Sequence, residues 1–200
     1  MIVTIVTIMI ISSKKSMASL YKYEDDFIPA MTQHPMEFNF LVEFLLKKDI
    51  QSILIFGVDN AGMEYRIADA YHKANKKCFI TGVDCAFRDT LKHSYAKILA
   101  KFSNVTVNFV RLNLSMPFPS FLLGKYEFTF IDADHAYESV KNDFELALHH
   151  TSRFIGFHDI LMGEEHGGVK KYWAETKCKY NNCIESIGDG SSYGIGIVEL

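Results

Sequence analysis

The sequence predicts one α/β domain built on a mostly parallel sheet, doubly wound, with helices on both faces. Short apolar runs alternate along the chain with segments whose apolar residues recur at helical spacing. That alternation implies βαβ units, whose right-handed crossovers lay helices on both faces. Each apolar run stops in or beside Gly, Asp, Asn or His, as buried strands do where they reach a sheet edge. Of the 200 residues, 48% are hydrophobic, enough for a single core. A chain of this size buries roughly 70% of its unfolded surface.

The elements follow in order. Residues 17–50 read as a helical lead-in, with Phe38, Leu41, Phe44 and Leu45 at core spacing. Residues 52–56 form an uninterrupted apolar run ended by Gly57, the first core strand. A helix over 63–73 leads to a strand over 77–83, stopped by Asp84. Leu91, Tyr95, Ile98 and Leu99 give one apolar face to a helix over 89–102, and 105–110 is the third strand. The fourth strand, 126–131, closes on Asp132. A helix over 135–150 carries Val140, Phe144, Leu146 and Leu148. Then come a fifth strand over 153–157, a short helix around Val169, Tyr172 and Trp173, and a last strand in 193–200. No internal repeat and no low-complexity linker breaks the chain.

The apolar segment 1–11 is too short for a bilayer span, which takes ~20 residues. Its basic residues, Lys14 and Lys15, follow the apolar run, the reverse of a signal peptide's order. Residues 1–16 are therefore set outside the domain, which takes 17–200. A start at Met17 is preferred to a membrane-surface or signal-anchor segment. The net charge is -3, and no Lys/Arg cluster stands out, so nucleic acid is not an expected partner. The four cysteines form no CxxC pair, which fits a reducing, cytoplasmic setting. Cys78 reads as core.

In a doubly wound sheet, ligands sit beyond the carboxyl ends of the strands. Asp59, Asp84, Asn113, Asp132 and His158-Asp159 would converge on that edge. The strongest pattern is Asp132-Ala-Asp134-His135 after one apolar strand and His158-Asp159 after the next. Asp before a helix is commonly a cap, which accounts for one carboxylate. It does not account for a second polar pair one strand later.

From about Gln33 to Leu200, the order of elements and these strand ends resemble the class I S-adenosylmethionine-dependent methyltransferases. The nearest branch is the metal-dependent O-methyltransferases of the macrocin and catechol type. The resemblance implies a Rossmann-like sheet of seven strands with the last antiparallel. It implies that the Gly57-Val-Asp59-Asn-Ala-Gly62 loop curls under the methionine part of S-adenosylmethionine, that Asp84 holds the ribose, and that Asn113 lies by the adenine. Ile55 stands where the family has an acid, and Asp59 where it has a middle glycine. Asp59 is the candidate to replace the lost carboxylate.

The resemblance further implies a divalent ion, Mg²⁺ or Mn²⁺, on Asp132, His158 and Asp159, with Asp134 or His135 as base. Asp132 counts among the cofactor-binding residues too. His158 replaces a carboxylate and favours Mn²⁺, Fe²⁺ or Zn²⁺. Gln33-His-Pro, Gly168 to Trp173 and the terminal Gly194-Ile-Gly-Ile match as well. Gly163, His166, Gly167 and Gly168 mark a loop over the site or an ordinary surface loop.

The expected reaction is O-methylation of a small hydroxylated acceptor, a sugar or a catechol-like ring. A homodimer is compatible with it. The rival readings are a metal-independent methyltransferase, a binding module on a degenerate methyltransferase fold, and a related oxidative activity.

Overall fold

The computed structural model describes residues 7–9, 29, 31, 33–86, 88–116, 123–162, 168–188 and 193–200. Most of the 1–16 segment, the 17–28 part of the helical lead-in and the Gly163 to Gly167 loop lie outside the described residues.

The first helix, α1 (Pro35–Lys47), is 13 residues long and buries Leu41, Phe44 and Leu45. Proline at its first position suits a site where no intrahelical donor is needed. His34 caps it, and Glu37 returns a bond to the His34 backbone N–H, a reciprocal cap.

The strands are β1 (Thr7–Met9), β2 (Ser52–Phe56), β3 (Cys78–Asp84), β4 (Val105–Arg111), β5 (Tyr126–Ile131), β6 (Thr151–His158), β7 (Cys183–Ser186) and β8 (Ile195–Glu199). Between them run α2 (Gly62–Lys73), α3 (Asp89–Lys101), α4 (Tyr137–His150) and α5 (Val169–Lys179). One sheet results, in the order β1-β4-β3-β2-β5-β6-β8-β7. The five strands from β4 to β6 in that order are parallel to one another. β8 runs antiparallel between β6 and β7.

Alternation along β2 shows how the sheet is covered. Ile53 and Ile55 join α1, α2 and α3 in one core cluster, while Leu54 and Phe56 join α4 and α5 in another. Each side of the strand meets a helical layer, so β2 reads as continuously apolar instead of alternating.

The six strands placed from the sequence are all present in this one sheet, and β7 supplies the seventh that the resemblance implies. An eighth, β1, adds to the edge: Thr7 to Met9, set outside the domain on sequence grounds, pair antiparallel with Arg111 to Phe109. The helix expected from His135 begins at Tyr137, because the residues after β5 form a loop first. β7 gives no apolar run, being a four-residue edge strand with Ile184 exposed. His150, at the end of α4, is buried and bonds the Gly124 carbonyl through Nδ1 at 2.8 Å. Among the described residues, no helix is long and apolar enough to cross a membrane, and the four cysteines are free.

Candidate active site

The strand order reverses at β2. The chain winds outward through β3 and β4 on one side, and through β5 and β6 on the other. The crevice at such a switch point is where ligands of these sheets bind. A cavity of about 410 Å³ opens there, within the size range of small-molecule sites. Gly57, Asp59, Gly62, Asp84, Asn113 and Asp132, the six candidate cofactor residues, all line it. Asp134 and His135 line it too.

Gly57 closes the floor. Its φ is 88°, and a Cβ there would lie 2.0 Å from the Asp132 carbonyl oxygen. The backbones after β2 and β5 meet this closely only because residue 57 has no side chain. The Asp132 N–H donates to the Phe56 carbonyl at 2.8 Å and holds the two strand ends together.

The loop beyond Gly57 keeps left-handed backbone without glycine: φ is 48° at Asp59 and 60° at Ala61. It is tied down from the side. Asp84 Oδ2 accepts from the N–H groups of Val58 and Asp59, at 3.0 and 3.3 Å. Asp84 Oδ1 accepts from Ala86 N at 2.8 Å. The Asp59 carboxylate pairs with Arg88 through one oxygen and with the Asn60 amide through the other. Thr90 Oγ1 and Ser94 Oγ bond Asn60 as well, at 2.8 Å each. So α3 clasps the loop where the family's acid at position 55 is replaced by buried Ile55.

Behind the wall that Asp132 lines, Asp132, His158 and Asp159 bring three ligand atoms within 4.8 Å of one another. His158 Nδ1 is 3.2 Å from Asp132 Oδ1 and 3.1 Å from Asp159 Oδ1. His158 Nε2 is 3.0 Å from Glu37 Oε2. His135 Nε2 stands 2.9 Å from Asp159 Oδ2 and 3.9 Å from Asp132 Oδ1, in ion-pair range but without hydrogen-bond alignment. Gln33 Nε2 donates to Asp132 Oδ2 at 2.5 Å. Asp159 takes the left-handed conformation, φ 62°, which Asp tolerates better than most residues. Asp134 braces the turn before α4, accepting from Ala136 N at 3.2 Å and Ser139 Oγ at 2.7 Å.

The electrostatics follow from this crowding. The Asp132 and Asp159 carboxylates raise His135 to about 10. Burial opposes the charge on His158, but Asp132, Asp159 and Glu37 outweigh it and push the ring up to about 12. Burial likewise works against Asp159, yet His135 and His158 hold it well below the usual carboxylate range. Bonds from Ser139 and Ala136 lower Asp134.

Strand ends point to neither Glu37 nor Arg88, and Gln33 stands out only as part of the matching Gln33-His-Pro segment, without a role. Glu37 had a local signature, an acid three residues after a capping position, but nothing local shows that it reaches β6.

Two buried atoms of the cluster, Asp159 Oδ1 and His135 Nε2, have no hydrogen-bond partner. Buried polar atoms normally do, and the exceptions point to a missing ligand or ion. With two carboxylates and an imidazole inside 4.8 Å, the donors fit a divalent transition metal.

A family model described as a methyltransferase domain matches residues 59–160. The match starts in the loop after β2 and ends just past β6, so it spans most of the cavity wall and the whole Asp132, His158, Asp159 cluster. No curated protein matches the sequence. Among solved structures, the chain is similar to the O-methyltransferase TomG from Streptomyces achromogenes, in complex with SAM. The TM-score is 0.63 at 14% identity, over 92% of this chain and 93% of that one. It is also similar to an O-methyltransferase from Bacillus cereus in complex with SAH, with a TM-score of 0.59 at 16% identity, over 86% and 84% of the two chains. At these identities the likeness carries the fold. The family match, which spans more than half of the chain and the strand ends that build the cavity, carries the rest: this chain belongs to the methyltransferase domain family and is a class I methyltransferase.

Proposed function

We propose that this methyltransferase moves a methyl group from S-adenosylmethionine to an oxygen of a small hydroxylated acceptor, assisted by a divalent metal on Asp132, His158 and Asp159. One observation carries the reading. Asp132 belongs both to the cavity wall and to the cluster, so the methyl-donor site and the ion site share a residue. When bound, the donor supplies a methyl already activated on a sulfonium, and the ion lowers the pKa of the acceptor hydroxyl.

The chain's own residues do the rest. Bringing a phenol from about 10 to about 7 corresponds to ~4 kcal/mol, which a lone carboxylate base near 4 does not supply. Alignment contributes ~7–11 kcal/mol when the reacting atoms are held in place. The clasped loop and the Gly57 floor fix the donor side of that alignment. His135, on the cavity wall beside Asp159, would hold the acceptor's proton once an ion on Asp132 and Asp159 offsets the two carboxylates that otherwise keep its ring charged. Asp134 braces the turn that bears His135. The imidazole of His158 favours Mn²⁺ or Fe²⁺ over Mg²⁺. A cytoplasmic setting goes with this reading, supported by the free cysteines.

Calorimetric titration of S-adenosylmethionine into metal-stripped protein, repeated with Mn²⁺ and with Mg²⁺, tests this. Micromolar cofactor binding and a separate metal heat, larger for Mn²⁺, are expected. Absence of cofactor binding in every condition would sink the enzymatic reading. A second reading is favoured by the His158 ring, whose two nitrogens already face three carboxylates, so that an imidazolium can take the ion's place. Cofactor binding and turnover with no metal heat would select it.

The clasp makes a further prediction. With its carboxylate engaged by Arg88 and Asn60, Asp59 serves the clasp in this reading and not the cofactor's amino group. Asp59→Asn is expected to leave cofactor affinity within about threefold, less than 1 kcal/mol, and stability within ~1 kcal/mol, since the ion pair is exposed. A large loss of affinity in the same titration would return Asp59 to the cofactor.

A further inference from the structure

Glu37 lies on α1, far in sequence from the cluster, and is 1% exposed. Its carboxylate is fixed from three directions. Oε2 faces His158 Nε2 at 3.0 Å and accepts the His34 N–H at 3.2 Å. Oε1 accepts the Gly194 N–H at 2.5 Å. Gly194 directly precedes β8, whose Ile195 pairs with His158 itself. The carboxylate is therefore positioned by the same strand pair that positions the imidazole.

A carboxylate is an acceptor only. The ring nitrogen facing it must carry a proton. With an ion on Asp132 and Asp159 the ring would be neutral, and its lone pair would be on Nδ1, the nitrogen that faces those two carboxylates. Partners of this kind orient ligating histidines and fix which nitrogen binds. From this geometry we infer that Glu37 is a positioning residue of the metal centre: it holds His158 with Nε2 protonated and Nδ1 presented to the ion. The inference rests on the metal reading given above. It also gives α1 a role beyond packing, since the helix start carries the buried anion that sets the ligand atom.

The substitution Glu37→Gln tests it by reversing the chemistry within the same shape. The Gly194 N–H, at 2.5 Å against 3.2 Å for the His34 N–H, keeps the single Gln carbonyl, so the NH₂ faces His158 and the His34 N–H loses its acceptor. Nε2 must then accept, the proton moves to Nδ1, and the ligand atom is blocked. Zn²⁺ is the probe, being diamagnetic, with affinity read by competition against a chromophoric chelator. Imidazole ¹⁵N resonances report which nitrogen is protonated. Wild-type protein with Zn²⁺ is expected to show a metal-shifted Nδ1 and a protonated Nε2 on His158. Glu37→Gln is expected to lose about 10–100-fold in Zn²⁺ affinity. Glu37→Asp keeps an acceptor-only group, covers the case in which the Gln variant folds poorly, and is expected to retain Nδ1 ligation.

A merely structural Glu37 would lower the melting temperature of the Gln variant and leave both Zn²⁺ affinity and the nitrogen assignment unchanged. That result, or an Asp variant in which Zn²⁺ is bound through Nε2, would overturn the inference. Wild-type protein that binds no Zn²⁺ would overturn the metal reading itself, a different failure from an unaffected Gln variant.

Discussion

Asp159→Asn is expected to slow methyl transfer by about three orders of magnitude, the equivalent of the ~4 kcal/mol assigned to lowering the acceptor's pKa. Asn is the informative replacement. Asp159 sits at φ 62°, a region that Asn visits readily and Ala does not. Backbone geometry is thereby kept while the charge is removed. The lost anion is central to the cluster: it faces His158 through one oxygen and His135 through the other. His158 keeps Asp132 and Glu37 as partners, so its ring is not left as an uncompensated buried charge. Neither His158 nor Asp159 lines the cavity, so S-adenosylmethionine affinity should stay within about threefold. Single-turnover rates at saturating cofactor and Mn²⁺ are the measurement, with urea unfolding as the control for folded protein. A rate within tenfold of wild type would remove Asp159 from the mechanism and with it the ion.

What the sequence made legible was set by periodicity and topology. Apolar runs such as Ser52 to Phe56 cannot be placed anywhere but inside a covered sheet. Once the strands are parallel, their polar ends have to meet at one edge. That is why residues as far apart as Gly57, Asp84, Asn113 and Asp132 line a single cavity. Partners that approach from elsewhere leave no such trace. Glu37 reaches His158 across 121 positions, and Gln33 reaches Asp132 across 99. Both lie at or just before the start of α1, where the visible patterns are a helix cap and the Gln33-His-Pro match, neither of which names a partner. Asp59 shows a different limit. Its place in a glycine motif suggested a cofactor ligand, but its partner Arg88 comes from the N-terminus of α3, which the motif does not contain. β7 was missed because a short edge strand needs no apolar run, whereas β1 lies in the apolar 1–11 segment that was set outside the domain.

Glu64→Gln is expected to change how stability depends on pH. Glu64 is fully buried in the first turn of α2. Its Oε2 has no hydrogen-bond partner, and its Oε1 is 3.4 Å from the buried Tyr95 hydroxyl. Gly82 makes room for the pair, because a Cβ there would lie 2.2 Å from Tyr95 Oη and 2.9 Å from Glu64 Oε1. Burial, with smaller contributions from Asp84 and Asp132, pushes the Glu64 carboxyl up from 4.5 to about 8. The folded chain therefore binds one more proton than the unfolded chain between those values. Stability is fully present below the unfolded value of 4.5 and is lost as pH rises toward and through about 8. The interval is worth ~5 kcal/mol at most. Asp143, pushed up to about 7 by burial, adds a loss of the same sign that the Gln variant retains. Glu64→Gln removes only the Glu64 part. Wild type and variant should unfold at similar urea concentrations near pH 4, and the variant should gain by several kcal/mol near pH 9. Parallel curves would mean that Glu64 is ionised in the folded protein, with a counter-charge or water beneath the cofactor loop, and that the loop floor is polar instead of sealed.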